Sequence, residues 1–146
     1  MIRGNVVAIN IGAGTGQPMQ AVPEVQAVAG KGLEGDRYFD TKPDGQATLI
    51  AAEAFDAMEQ EIGYKLAYGD ARRNIVTREV PLADLVDREF RVGDVTMRGV
   101  RLSEPCQHLA ELTDERVLRG LAHRAGLKVE ILNDGVIRVG DAVRDA

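Results

Sequence analysis

Aromatic residues are scarce in this chain of 146 residues, which has three tyrosines, three phenylalanines and no tryptophan. Surfaces that bind single-stranded nucleic acids or sugars commonly use aromatic side chains as stacking platforms. The scarcity therefore argues against both kinds of surface. The formal net charge is −5, so non-specific attraction to nucleic acid or to an anionic membrane is not expected either.

The sequence contains a single cysteine, Cys106, so no disulfide can form within the chain. This suits a reducing compartment. No apolar run approaches the roughly 20 residues that a membrane helix needs, and residues 1–17 are too broken by glycine to resemble a signal peptide. We therefore expect a soluble, cytoplasmic protein in which residues 1–146 form one domain.

Apolar and β-branched residues occur mostly in short runs separated by Gly, Pro and Asp, a pattern that predicts a strand-rich fold. Residues 4–12, GNVVAINIG, predict a first strand, and residues 20–30 predict an edge or bent strand because they contain a proline. A Gly-Asp pair within residues 89–104 predicts a hairpin. The turn Asn133-Asp134-Gly135 predicts a second hairpin within residues 127–143.

The segment 47–63 changes to helical periodicity and ends at Gly63, a stop signal. Its apolar stripe consists of Ala51, Phe55, Met58 and Ile62. Two short helices are predicted at 107–112 and 114–122. The stretch 30–46 is rich in Gly, Pro, Asp and Lys, and it predicts a long surface loop of the kind that often carries function. Together these elements predict a mainly β fold with a few helices, a mixed β-barrel with helices packed outside.

The cysteine follows a proline and precedes a helix-like run in the sequence SEPCQHL, residues 103–109. Free cysteine is among the most often buried residues, so one interpretation of Cys106 is a small core hydrophobe. The other is a thiolate at a strand-to-helix junction, where the first helical N–H groups and His108 favour the charged form. A structural zinc site is weakly supported, because Cys106, His108 and His123 are the three N or S candidates in the chain.

Arg72, Arg73 and Asn74 precede the β-branched run IVT, and strand alternation predicts that the two arginine side chains point to opposite faces. Arginine beside asparagine suits recognition of a phosphate or another planar anion. The loop sequence KGLEGDR adds Lys31 and Arg37, among glycines that let the backbone approach a ligand. The residues thus predict a cationic loop, a cationic strand start and a thiol.

The chain contains, in this order, the segments GLEGDR, QATLIAAEAFDAM, DARRNIVT, FRVGDV, SEPCQHL and HRAGLKVEIL, followed by GVIRVGD. Together they resemble the MOSC domain, the C-terminal domain of molybdenum-cofactor sulfurases, and most of all its small stand-alone bacterial members. The resemblance runs from about Gly30 to the C-terminus. It implies a barrel-like fold and a single MOSC domain over residues 1–146.

The resemblance also implies binding of the molybdenum cofactor, a pterin dithiolene that carries molybdenum and a phosphate. By similarity to amidoxime-reducing relatives, Cys106 would be the metal ligand and the catalytic residue, since soft sulfur donors suit molybdenum. Those relatives have Arg-Pro-Asn where this chain has Arg-Arg-Asn at 72–74, and the loop arginine of GLEGDR matches a cofactor-contacting arginine. The predicted cofactor-binding residues are Lys31, Arg37, Arg72, Asn74 and His108.

Sulfurases of the family carry a separate pyridoxal-phosphate-dependent cysteine desulfurase domain, for which this chain is too short. Sulfur would therefore come from a partner desulfurase, and an oxidoreductase would need an electron-donor protein. Some stand-alone members have a second cysteine where this chain has Leu109, so a two-thiol relay is not expected. Three functions stay open: a small oxidoreductase that reduces N-oxygenated compounds, a non-catalytic carrier of persulfide sulfur or of the cofactor, and a binding module with an inert thiol.

Overall fold

The computed structural model describes residues 1–105 and 107–146. Within them the chain forms eleven strands: β1 (Gly4–Gly12), β2 (Met19–Ala21), β3 (Glu24–Val28), β4 (Gly32–Leu33), β5 (Ala47–Ala51), β6 (Ile75–Arg78), β7 (Glu89–Val92), β8 (Val95–Leu102), β9 (Leu127–Ile131), β10 (Gly135–Arg138) and β11 (Ala142–Asp145). The same residues form three α-helices: α1 (Ala52–Ile62), α2 (Gln107–Leu112) and α3 (Arg116–Gly120). Short 3-10 helices occupy Tyr68–Ala71 and Leu82–Leu85.

Seven strands close into a barrel in the order β11-β7-β8-β9-β5-β6-β1, and β2 pairs with β1 outside it. Closure comes from the antiparallel pairing of β1 with β11, in which Gly4 lies opposite Val143. Strands β5 and β6 are parallel, whereas the other barrel pairs are antiparallel. A separate small sheet has the order β10-β3-β4. The predicted mixed β-barrel is confirmed.

The apolar residues form two clusters, one on each side of the barrel wall. Alternate residues of β9, namely Leu127, Val129 and Ile131, belong to the larger cluster, which fills the barrel. The second cluster packs the outer face of β5 and β6, through Ile50 and Val76, against the helices. The helices therefore lie outside the barrel, as expected from the sequence.

The helical stripe and the first hairpin are the most accurate local predictions. Phe55 and Met58 of α1 are buried, and Gly63 ends the helix with a left-handed φ of 79°. Ala51, however, belongs to β5, and the helix begins one residue later. Strands β7 and β8 form the predicted hairpin across Gly93.

The second predicted hairpin is wrong, because β9 pairs with β8 and β5 while β10 pairs with β3. The connecting turn is tied to two different parts of the molecule. Asn133 Oδ1 accepts the Thr96 N–H at 2.6 Å, and the Asp134 carboxylate accepts the Ala29 N–H at 2.8 Å. These contacts direct the chain from the barrel into the small sheet.

The segment 30–46 is more ordered than the predicted surface loop. It contains β4, and Leu33, Asp36 and Gln46 are buried. The Asp36 carboxylate accepts the Gly12 N–H at 2.9 Å, which fixes the segment to the end of β1. In the part of the chain given by residues 1–105 and 107–146, no helix has the length and apolar character needed to cross a membrane.

Candidate functional site

A cavity of about 310 Å3 lies where β8 ends and where β5, β6 and β9 begin. Its lining comprises six cations, two carboxylates and four other residues: Arg37, Lys42, Arg72, Arg73, Arg101 and Lys128; Asp44 and Glu104; Tyr38, Gly45, Thr48 and Ser103. The whole chain has a net charge of −5, so this concentration of positive charge is local. A concave surface lined by charge of one sign concentrates ligands of the opposite sign.

Strand register places the side chains of Thr48, Lys128 and Arg101 in one row across the outer face of the barrel. Lys128 of β9 is the Cα partner of Thr48 in β5 and of Arg101 in β8. Its neighbours Leu127 and Val129 point into the barrel, so the Lys128 side chain points outward. An irregularity in β8 between Gly99 and Arg101 sets this row, because an unbroken ladder would place Val100 opposite Lys128.

The cations of this row and the neighbouring Lys42 differ in how far other residues neutralise their charge. Arg101 pairs with the Asp44 carboxylate at 2.9 Å. Lys42 lies over the Tyr38 ring, with 5.4 Å from its Nζ to the ring centroid. Lys128 is half-buried, and within residues 1–105 and 107–146 its ammonium makes no ion pair or side-chain hydrogen bond. Burial, followed by the charges of Arg101, Arg73 and Lys42, lowers the pKa of Lys128.

Arg37 and Arg72 form the other end of the cavity. Arg37 is almost buried, with 8% of its side chain exposed, and donates to the Asp36 carboxylate at 3.3 Å. Its second terminal nitrogen donates to the Arg72 carbonyl at 3.4 Å. Arg72 in turn donates to the carbonyls of Gln17 and Gly14. Burial first, and then the Arg37 charge, lower the pKa of Arg72.

The prediction that Arg72 and Arg73 point to opposite faces of a strand is wrong, since both line the cavity. Arg72 has φ 60° and follows a 3-10 helix, and β6 begins only at Ile75. The alternation that separates neighbouring side chains in a strand does not apply before that point. A left-handed conformation at a residue other than glycine costs about 1–2 kcal/mol, so the surrounding contacts must hold it in place.

Arg73 fastens the segment that leads to Cys106. Its Nε donates to the Ala125 carbonyl at 2.7 Å, and a terminal nitrogen donates to the Glu104 carbonyl at 3.3 Å. The Glu104 carboxylate accepts the His123 backbone N–H at 2.8 Å and lies 3.2 Å from His123 Nδ1. The chain therefore approaches Cys106 along the cavity wall as far as Glu104. Cys106 itself lies outside the described residues.

Asn74 sits behind the cavity wall rather than in its lining. It is 2% exposed, and its Oδ1 accepts both the N–H and the hydroxyl of Thr48, at 3.1 and 3.2 Å. Its Nδ2 donates to the Asn10 carbonyl at 3.1 Å, and its own N–H donates to the Thr48 hydroxyl. The Asn74 side chain thus joins β1 to β5 beside the start of β6.

The structure brings together only part of the predicted set of site residues. Arg37 and Arg72 line the cavity, whereas Lys31 and His108 are exposed and do not belong to its lining. His123 and Arg124 border a smaller cavity of about 140 Å3, and Arg124 pairs with Glu61 on α1. Another cavity, of about 240 Å3, lies beside α1 and is lined mostly by apolar residues. Charge is concentrated at the largest of these three cavities.

Sequence reasoning missed Lys42, Arg101 and Lys128 as members of the site. Lys42 lies in the glycine-rich segment 30–46, and Lys128 lies in a segment predicted as a strand. The available signal was a cation at a strand position whose neighbours are apolar, as in LKVEI, residues 127–131. Arg101 gave no such signal, because its face depends on the irregularity in β8.

The protein is a mixed β-barrel with a cationic cavity beside the ends of its strands. Its sequence matches the MOSC domain over residues 36–144, and the chain belongs to the MOSC domain family. MOSC domains are associated in general with the molybdenum cofactor. Among proteins with curated functions, none matches the sequence.

Solved structures of low sequence identity share the fold. YuaD from Bacillus subtilis superposes with a TM-score of 0.86 at 12% identity, over 97% of this chain and 94% of that protein. YiiM from Geobacillus stearothermophilus gives a TM-score of 0.73 at 16% identity, over 97% and 74%. YiiM from Escherichia coli gives 0.72 at 17% identity, over 99% and 69%. At these identities the comparison shows the fold alone.

Proposed function

We propose that this protein binds the molybdenum cofactor in the cationic cavity. The observation that carries the proposal is the gathering of six cations against two carboxylates around about 310 Å3 in an acidic protein. The cofactor is anionic, since it carries a phosphate and a metal dithiolene, and family membership supports its association with this fold. The volume lies at the lower end of the range of about 300–1,000 Å3 typical of small-molecule sites.

The donors of the cavity fit the chemistry of that group. Guanidinium and ammonium groups of Arg101, Lys42 and Lys128 suit phosphate oxygens. The hydroxyl of Ser103, one of the lining residues, suits the polar edge of a pterin. Arg37 and Arg72 would hold the cofactor at the other end, as the family resemblance implies. Of the other three predicted cofactor-binding residues, Lys31 and His108 lie outside the lining and Asn74 is buried behind it, so none of them takes part in this proposal.

Cys106 is the proposed molybdenum ligand or sulfur acceptor. It follows Glu104 by two positions in the sequence, and Glu104 lines the cavity. A thiolate is a soft donor and suits molybdenum. When bound, the cofactor would supply oxygen-atom and electron transfer, with an N-oxygenated compound as the oxidised substrate and a separate protein as the electron donor.

A second candidate function is that of a carrier. The protein would carry either persulfide sulfur, supplied by a pyridoxal-phosphate-dependent desulfurase, or the cofactor itself. One observation favours it over catalysis. Both carboxylates in the lining already have partners: Asp44 forms an ion pair with Arg101, and Glu104 accepts the His123 backbone N–H. A general acid or base must be available to the proton that it moves, and the lining residues described by the structure offer no unpaired carboxylate for that role.

The first experiment compares wild type with Cys106→Ser after expression in a host that makes the cofactor. Molybdenum is measured by mass spectrometry and released pterin by fluorescence. We expect near-stoichiometric metal and pterin in the wild type and loss of metal in the variant. The substitution is nearly isosteric, so unfolding free energy should change by no more than about 1–2 kcal/mol. An unfolded variant would instead place the thiol in the core.

A matched pair of arginine variants tests the cavity itself. Arg101→Ala removes a cavity cation, whereas Arg98→Ala removes a cation from the same strand outside the lining. The two side chains are 49% and 47% exposed, and each makes one ion pair, with Asp44 and Asp87 respectively. Pterin content should fall in Arg101→Ala and stay at the wild-type level in Arg98→Ala. Equal retention in both variants would contradict binding in this cavity.

The loaded wild type then separates catalysis from carriage. Repeated turnover of a hydroxylamine or amidoxime with an electron donor supports an oxidoreductase. Formation of a Cys106 persulfide that requires an added cysteine desulfurase, without such turnover, supports a carrier. The persulfide is detected as a mass increase of one sulfur atom that a thiol reductant removes.

A further inference from the structure

We propose that Lys128, Arg101 and Lys42 form a subsite for a phosphate monoester dianion within the cationic cavity. The assignment rests on the proposed function in one respect only, since the cofactor's phosphate is one of its two possible occupants. It separates the cations that are available to a ligand from those already used by the protein.

Register brings two like charges directly opposite each other. Lys128 and Arg101 are Cα partners in the antiparallel pair of β9 and β8. Like charges in such positions repel and destabilise the sheet. Without the irregularity at Val100 the valine would stand opposite Lys128 and no repulsion would arise. The irregularity therefore places a second cation beside the first, and an anion between them would offset the repulsion.

Neutralisation within the protein is incomplete at this point. Among residues 1–105 and 107–146, one carboxylate, Asp44, pairs with Arg101, and none pairs with Lys128 or Lys42. Lys128 is half-buried, and a charge removed from water without a partner is unfavourable. The lowered pKa of Lys128 has the same physical origin, burial together with three neighbouring cations. An anionic ligand would remove the imbalance.

The arginines at the other end of the cavity already donate several hydrogen bonds to acceptors within the protein. Arg37 donates to Asp36, to the Met19 sulfur and to the Arg72 carbonyl. Arg72 donates to the carbonyls of two residues in the turn after β1. These two guanidiniums therefore offer a ligand only part of their donors. Within the described residues Lys128 and Lys42 make no ion pair, so the greater capacity for an external anion lies with them and with Arg101 beside them.

The charge balance selects a dianion. A monoanionic ligand would neutralise one of the two unpaired lysines and leave the other without a counter-charge. A phosphate monoester carries close to two negative charges at neutral pH, so it can neutralise Lys128 and Lys42 while it competes for Arg101. The Ser103 hydroxyl, which also lines the cavity, offers a neutral donor to a phosphate oxygen.

The test uses full-length protein from a host that cannot make the molybdenum cofactor, so that the cavity holds none. Inorganic phosphate is titrated at low ionic strength and followed by calorimetry. We expect saturable binding by the wild type, with Kd raised about tenfold or more in Lys128→Met. Arg98→Ala, the exposed control on β8, should bind like the wild type. Asp44→Asn should bind more tightly, because the competing carboxylate is lost.

Arg101→Gln serves as a second variant, because its side chain is 49% exposed and its replacement should not affect folding. Weaker binding in Arg101→Gln supports the subsite even if Lys128→Met does not fold. The proposal is overturned if the wild type binds no phosphate, or if Arg98→Ala and the folded cavity variants weaken binding to the same extent. The latter outcome would indicate general charge attraction.

A second arm identifies the occupant and separates this proposal from the proposed function. The same variants are produced in a host that makes the cofactor, and pterin is measured. Loss of both phosphate binding and pterin in Lys128→Met assigns the subsite to the cofactor's phosphate. Loss of phosphate binding with pterin retained assigns it to a separate phosphorylated small molecule. A wild type without pterin that still binds phosphate through Lys128 contradicts the proposed function and leaves the subsite intact.

Discussion

We expect Asn74→Ala to act by destabilising the fold rather than by removing a contact with a ligand. The side chain makes three hydrogen bonds, two with Thr48 and one with the Asn10 carbonyl, and only 2% of the residue is exposed. Loss of the bonds to the Thr48 hydroxyl and the Asn10 carbonyl costs about 1 kcal/mol each, and leaving the buried Thr48 N–H without its acceptor costs about 1–2 kcal/mol. The expected loss is therefore about 3–4 kcal/mol in the free energy of unfolding.

For a chain of this length, 3–4 kcal/mol corresponds to a fall in Tm of about 10 °C. The assay is thermal and urea unfolding of the cofactor-free protein. Asn133→Ala is the matched control. Asn133 also accepts one backbone N–H, at 2.6 Å, and donates to two backbone carbonyls, at 3.0 and 3.5 Å, but it is exposed. Because water can replace those bonds, the control should lose less than about 1 kcal/mol.

The comparison would refute the reasoning if Asn74→Ala melted within about 3 °C of Asn133→Ala. Loss of pterin from such a stable Asn74→Ala protein would return the residue to the role that the family resemblance implies, direct cofactor binding. Loss of stability together with pterin would show that Asn74 acts by positioning the strands around the cavity. The unfolding measurement therefore has to precede the measurement of cofactor content.

Two further predictions concern single charged residues. In Arg72→Gly the new glycine accepts the φ of 60°, so Tm should stay within about 3 °C while cofactor content falls. A larger loss of Tm would show that the hydrogen bonds from Arg72 to Gln17 and Gly14 stabilise the fold. For Asp114, the hydrogen bond from the Arg116 side chain lowers the pKa to about 2. Its contribution to stability is thus fully present above about pH 4 and is lost as pH falls towards 2. An NMR titration of the carboxyl carbon should show this low midpoint. Arg116→Ala should raise the midpoint part of the way to the ordinary value, because the backbone N–H of residue 116 still donates to the carboxylate. An unchanged midpoint would contradict the assignment.

Local sequence signals correctly predicted the elements whose structure depends on residues close together in the chain. The Gly93-Asp94 turn predicts the hairpin of β7 and β8, and the apolar stripe around Phe55 and Met58 predicts α1. The same kind of signal failed at Asn133, because hydrogen bonds from Thr96 and Ala29 direct the chain after the turn into another sheet. Closure of the barrel joins the two ends of the chain and carries no local signal.

The site was predictable where a residue type alone carries the chemistry. Arg37 and Arg72 were found through their segments and both line the cavity. Lys31 belongs to the same loop as Arg37, but it is exposed at a turn where its carbonyl accepts the Asp40 N–H. Asn74 has a side chain suited to ligand binding, and only the fold reveals that strand neighbours occupy its amide. Composition cannot distinguish these cases, because they differ in geometry.

Two departures from regular backbone place cations at the cavity. The irregularity in β8 turns Arg101 to the outer face beside Lys128, and the left-handed φ of Arg72 brings its side chain to the same cavity as Arg73. Each departure is unfavourable for the isolated fold, and each increases repulsion between like charges. A barrel that only had to be stable would avoid both. Their coincidence at one cavity, in a chain with an overall negative charge, is the physical reason to expect an anionic ligand there.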